Sequence, residues 1–151
     1  MKKVNYEVFV SLEVAKLLKK AGFDWEIKHY YFTQNGKTEL NYNFKHPAQN
    51  YNKSMATMDS TSFEFEVCSC PTLSVAQRWL REVKNIEIQI KYLYKGNPLD
   101  GILEYRWAIC FTHPFPYKEF EANLNECQPT YEEAQVAGIK KALEIILEEG
   151  E

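Results

Sequence analysis

A helix start followed by a β-hairpin is written twice in this chain, the second copy 61 residues after the first. Ser11 to Gly36 laid over Thr72 to Asn97 matches Leu12 with Leu73, Val14 with Val75, Ala15 with Ala76, Glu26 with Glu87, Ile27 with Ile88 and Tyr31 with Tyr92. Six identities in 26 positions exceed the roughly one or two that ordinary residue usage gives at one fixed offset. Ser11 with Thr72, Lys20 with Arg81 and Asp24 with Asn85 are conservative pairs in the same register. A repeat of this kind restricts the chain to folds in which one helix-plus-hairpin unit recurs, over about 6–45 and 62–113. With 151 residues, 45% of them hydrophobic, one core is the expectation. The expected fold is a single α+β domain over 1–151: an antiparallel sheet built from the two repeated units, with three helices packed mainly on one face.

Local signals place the elements. Tyr6 to Val10 alternates as a strand, and Ser11 then caps a helix whose apolar positions are Val14, Leu17, Leu18 and Ala21, with Gly22 as its stop. From Trp25 the period changes to two, placing Trp25, Ile27, His29 and Tyr31 on one face, and Asn35-Gly36 signals a hairpin. The return strand alternates Leu40, Tyr42 and Phe44 with Glu39, Asn41 and Asn43, a half-buried pattern. His46 to Ser60 has no period and reads as a long loop, either functional or disordered. Phe63, Phe65 and Val67 form the apolar side of the next strand.

Thr72 caps a second helix with the stripe Val75, Ala76, Trp79, Leu80 and Val83. Ile86, Ile88, Ile90 and Tyr92 line one face of a strand, residues 96–101 make a turn, and Leu103, Tyr105, Trp107, Ile109 and Phe111 line its return. Phe120 to Glu126 reads as a short edge strand. Thr130-Tyr131-Glu132-Glu133 is a capping box for a helix over 130–148, whose face is Ala134, Val136, Ile139, Leu143, Ile146 and Leu147. Gly138 on that helix marks a close approach, and the helix start shares Thr-x-x-x-Ala-Gln with Thr72 to Gln77.

The net charge of −3 is unevenly spread, nine lysines against eight acids in 1–75 and nine cations against thirteen acids in 76–151. Such a chain lacks the broad positive field of a non-specific nucleic-acid binder. Glu7 and Glu13 interrupt any signal-peptide core after Met1-Lys2-Lys3-Val4, and no apolar run approaches a membrane span. The expectation is a cytoplasmic protein with reduced thiols and no membrane partner.

Candidate chemistry is sparse, and no catalytic residue stands out. Cys68-x-Cys70 with Cys110-x-x-His113 is the one set with zinc-ligand chemistry, although one intervening residue strains a shared tetrahedral site. Buried small hydrophobes are the favoured reading of these cysteines. Cys70 also stands beside a helix start, where the dipole favours a thiolate, but no His pairs with it as a base. His29 reads as a core histidine, and Asp24 as turn chemistry. Lys16, Lys19 and Lys20 with Arg78, Arg81 and Lys84 would form a basic stripe for phosphate if the first two helices lie side by side. A solvated helix face is the plainer account. The order from Thr72 to Glu149 loosely resembles a double-stranded RNA-binding domain, but acids stand where that family carries lysines. Aromatic residues are abundant, with Tyr30, Phe32, Leu93 and Tyr94 assigned away from the main core face, either under a second layer of structure or as a recognition surface.

Phe9 through Asp24, Pro71-Thr72 through Trp79-Leu80-Arg81-Glu82, and Thr130-Tyr131-Glu132-Glu133-Ala134 resemble segments of small uncharacterised proteins of gut Bacteroides and their phages or prophages. The resemblance implies a source and carries over no catalytic residue. Together these observations lead to a non-catalytic binding or interaction module acting on a host protein or small molecule, with no required cofactor and a homodimer as one assembly. The alternatives are a nucleic-acid binder through the helix stripe and a thiol- or zinc-dependent enzyme.

Overall fold

Ser11 begins the first helix as the sequence predicts, its side chain accepting a hydrogen bond from the Val14 amide at 3.3 Å in the computed structural model. The structure describes residues 8–42, 47–53, 65–96, 101–112, 118–123 and 126–149. Among these the chain is α+β, with three helices and two three-stranded antiparallel sheets. It divides into two compact units, Met1–Ala76 and Gln77–Glu151, the division falling inside the second helix.

In the first unit, α1 (Leu12–Ala21) ends at Gly22, whose φ of 96° is a left-handed conformation that glycine adopts without a Cβ penalty. Val14, Ala15, Leu18 and Ala21 are its buried face. β1 (His29–Gln34) and β2 (Lys37–Tyr42) form a hairpin across Asn35 and Gly36, both at positive φ as a type I′ turn requires. β3 (Phe65–Ser69) pairs antiparallel with the other side of β1, giving the order β2-β1-β3. α1 packs against β3.

The second unit contains most of α2 (Leu73–Val83), which Thr72 caps through its hydroxyl to the Val75 amide at 3.2 Å. β4 (Ile86–Lys95) and β5 (Ile102–Phe111) pair over their full length, and β6 (Lys118–Glu121) pairs with the end of β5. α3 (Tyr131–Glu149) lies on β4 and β5, and Thr130 accepts from the Glu133 amide at 3.1 Å. Ile86, Ile88, Trp107 and Ile109 are buried on the sheet, and Ala134, Ile139, Ala142 and Leu143 on the helix. Gly138 makes the expected close approach: a Cβ there would stand 3.0 Å from the Trp107 Cβ and 3.1 Å from Ile88 Cγ2.

Several expectations need correction. Two sheets replace the single one. The aligned strands also occupy different places, since β1 is central in its sheet whereas β4 is an edge. Trp25 and Ile27 precede β1, where Ile27 makes only a two-bond bridge with Gln49. The part of the expected first strand that is described, 8–10, makes a bridge from Phe9 to Thr72. Leu40 and Tyr42 are exposed on the edge strand β2, and in β3 the buried residues are Cys68 and Ser69, with Phe65 and Val67 half-buried. The edge strand near Phe120 runs 118–121 and stops before Glu126. Phe44, Phe63, Leu99 and the turn residues 97–100 lie outside the described residues.

Part of the predicted loop is a structural clamp. Asn52 donates through Nδ2 to the Phe23 carbonyl at 2.9 Å and accepts the Ser69 amide on Oδ1 at 2.9 Å. Tyr51, buried, stacks on Tyr30 with centroids 4.4 Å apart, and its amide donates to Ser69 Oγ at 3.0 Å. Residues 54–60 of that loop are outside the described residues.

Candidate functional site

The residues of each predicted site divide between the two units. Cys68 and Cys70 belong to the first unit and Cys110 to the second, while His113 lies outside the described residues. Among the described residues no group of three or more His, Cys, Asp or Glu side chains could hold a metal ion. All four cysteines are free thiols.

Burial overrides the helix dipole at Cys70. Its thiol donates to the Val10 carbonyl at 3.5 Å, and the Tyr31 hydroxyl donates to the same oxygen at 2.6 Å. Desolvation pushes the Cys70 thiol up to about 12, against an opposite pull from its hydrogen bond with Tyr31. Desolvation likewise takes Cys68 to about 11, opposed by Lys19, and Tyr31 to about 12, reinforced by Cys70. Burial holds these groups in their protonated forms at neutral pH, and Cys70 is a buried thiol. His29 is packed between Phe9 and Tyr42, with ring centroids 4.2 and 4.7 Å away.

The six cations divide between the units, Lys16, Lys19 and Lys20 on α1, and Arg78 and Arg81 on α2 with Lys84 just after it. Three have structural partners. Lys19 donates to the Val67 carbonyl at 2.9 Å, Arg78 pairs with Glu82 at 2.8 Å, and the Lys84 ammonium sits 5.5 Å from the centre of the Trp79 ring. Lys16, Lys20 and Arg81 are exposed. No helix among the described residues is long and apolar enough to cross a membrane.

An uncovered apolar row lies at the far end of the β4–β5 hairpin. Pairing puts Ile86, Ile88, Ile90, Tyr92 and Tyr94 on one face with Phe111, Ile109, Trp107, Tyr105 and Leu103 opposite them. α3 covers this face at Ile88 and Trp107, and its first residue, Tyr131, meets Tyr105 edge-on at 6.1 Å. Beyond that contact the apolar row continues uncovered, with Tyr92 71% exposed, Tyr94 61% and Leu103 38%. The opposite face is closed by ion pairs, Lys91 and Arg106 to Glu121 at 3.1 and 2.7 Å and Lys95 to Glu104 at 2.9 Å. The Lys91 hydrogen bond and the nearby Arg106 charge hold the Glu121 carboxyl below its usual range.

The backbone of the same strand is also partly open. The Thr112 amide bonds to the Asn85 carbonyl at 2.8 Å, so Asn85 and every second residue after it turn their polar groups toward β5. Ile86, Ile88, Ile90, Tyr92 and Tyr94 therefore turn theirs outward. Gln77 Nε2 satisfies the Ile88 carbonyl at 2.9 Å, and Gln135 Nε2 in turn donates to Gln77 Oε1 at 2.8 Å. These two glutamines are the ones in the shared Thr-x-x-x-Ala-Gln pattern. No described residue pairs with the outward backbone groups of Ile90, Tyr92 or Tyr94.

Of the residues the sequence assigns away from the main core face, Tyr30 and Phe32 lie against a second ring and Tyr94 is exposed. Tyr30 stacks on Tyr51 and Phe32 on Phe65, so both are covered. Tyr94 shares the face of Tyr92, as strict alternation from Ile86 already indicates. No family model matches the chain, and neither a curated protein nor a solved structure shows significant similarity to it.

Proposed function

We propose that this chain is a non-catalytic interaction module, cytoplasmic and of phage or prophage origin, that binds a host protein through the open end of the β4–β5 hairpin. The observation that carries the reading is the uncovered row of Tyr92, Tyr94 and Leu103 continuing directly from a packed core. Large aromatic groups left in water at a fixed, sheet-held spacing are the residues that anchor protein interfaces. The ion pairs on the other face engage the nearest charges internally, so the surface offers a partner apolar area and backbone polar groups. The bacterial resemblance supplies the host, and the buried, protonated thiols favour binding over thiol chemistry.

The test is retention of proteins from a gut Bacteroides lysate on the immobilised chain and on a Tyr92→Ser/Tyr94→Ser variant. A protein held by the wild type and released by the variant supports the reading. Equal retention by both contradicts it, as does any turnover abolished by changing one polar residue.

A further inference from the structure

The open edge of β4 points to a specific partner geometry, an inference that rests on the same hairpin being an interaction surface. An apolar edge with unmet N–H and C=O groups is a template for another strand. The same edge on a second copy has the same unmet groups, and an antiparallel two-fold pairing satisfies both together. We propose that two copies of this chain pair through their β4 edges with the two-fold axis at Tyr92, joining two three-stranded sheets into one of six.

Charge and one occupied carbonyl select that axis. Centring the pair on Ile90 would need the Ile88 carbonyl, which Gln77 already holds. Centring on Lys91 sets that lysine against its own copy, and centring on Leu93 sets Lys91 against the second Lys95. Like charges directly opposite are destabilising. Centring on Tyr94 leaves Ile90 without a partner. With the axis at Tyr92, each Ile90 lies opposite the second copy's Tyr94 and the two Tyr92 residues face each other. On the other face Lys91 meets Leu93, and Gln89 meets Lys95. The pairing sets the two most exposed tyrosines of the row beside apolar residues of the second copy, leaves their outer face open, and places no like charges opposite one another.

The outer edge of β2 is a competing template, since no strand among the described residues covers it either. It is shorter and carries Lys37 and Glu39, charges that discourage edge pairing. Its Tyr42 ring is engaged by His29 and has the Lys28 ammonium 5.8 Å from its centre.

Light scattering on the full chain at rising concentration should show the 17.8 kDa mass doubling. Tyr92→Lys, which sets two like charges against each other at the axis, should hold the chain monomeric, whereas Leu40→Lys on β2 should leave the doubling intact. A covalent readout guards against a variant that misfolds. In a Cys110→Ser/Cys127→Ser background, Tyr92→Cys should oxidise to a disulfide-linked dimer several-fold more completely than Tyr94→Cys, whose neighbour across the pair is Ile90. A monomer at every concentration, dissociation by Leu40→Lys instead, or equal cross-linking at the two positions would overturn the proposal. These readouts need no host protein. A monomer that still retains a host protein through Tyr92 and Tyr94 removes the dimer alone, and a dimer that retains none removes only the host-binding reading.

Discussion

The outer edges of β3 and β4 meet the same physical problem in opposite ways. Each turns alternate N–H and C=O groups away from its sheet, and each is followed directly by α2 or preceded by it. In β3 two of those groups are met by side chains from elsewhere in its unit: Lys19 Nζ donates to the Val67 carbonyl, and Asn52 Oδ1 accepts the Ser69 amide. In β4 one glutamine takes the Ile88 carbonyl, and the strand then runs on for seven residues with its outward groups unmet among the described residues. A lysine and an asparagine that look like surface polar residues in the sequence are edge caps, whereas a run of apolar residues that looks like core ends in water. The closed edge serves stability, and the open one is available for association.

The closed edge should be the costlier to disturb, and pH is the broadest probe of its surroundings. Cys68, Cys70 and Tyr31 keep their protons in the folded state to about 11, 12 and 12, above ordinary values of 9.0 for the thiols and 10.0 for the phenol. Their raised values contribute stability that is complete below pH 9 and is lost as the pH rises toward 12, because the unfolded chain releases these protons first. Chemical denaturation between pH 8 and 11 should show that decline, and a Cys70→Ala variant should decline less steeply. A flat profile would break the account of the thiols.

Asn52→Ala should cost about 2–4 kcal/mol, since it removes the acceptor of the buried Ser69 amide and a donor to the Phe23 carbonyl. Gly138→Ala should cost about 1–3 kcal/mol despite the better helix propensity of alanine, because the Trp107 Cβ is a rigid neighbour that cannot swing aside. Gln77→Met should cost about 1–2 kcal/mol by releasing the Ile88 carbonyl and breaking the link to Gln135. Equilibrium urea unfolding measures all three. On the open edge, Tyr94→Ser should change stability by less than about 0.5 kcal/mol while weakening association, the separation that distinguishes a binding surface from a core.

Local chemistry was readable from the sequence wherever a few neighbouring residues decide the outcome. Ser11, Thr72 and Thr130 cap their helices, Asn35-Gly36 turns the first hairpin, and Gly138 admits Trp107. The arrangement of strands was not readable, because alternation reports which face a residue takes and says nothing about which strand lies beside it. β1 becomes central only when β3 pairs with it, a contact between residues more than thirty apart in the chain. Of the six matched pairs only Tyr31 and Tyr92 lie in strands on both sides, and those strands have different neighbours. Asn52 was hidden for the same reason, since its partners Phe23 and Ser69 are distant in sequence. At the candidate site, parity alone put Tyr92 and Tyr94 together. The point where α3 stops covering them depends on how the helix crosses the sheet, which the helical period does not encode.

Residue-resolved amide hydrogen exchange at low and high protein concentration tests the central claim most directly. The account predicts that the Tyr92 and Tyr94 amides, which point away from β5, become protected as concentration rises while the Ser69 amide is protected throughout and the Leu40 amide does not change. Tyr92 and Tyr94 amides that exchange equally fast at both concentrations, or concentration-dependent protection appearing at Leu40 instead, would contradict it.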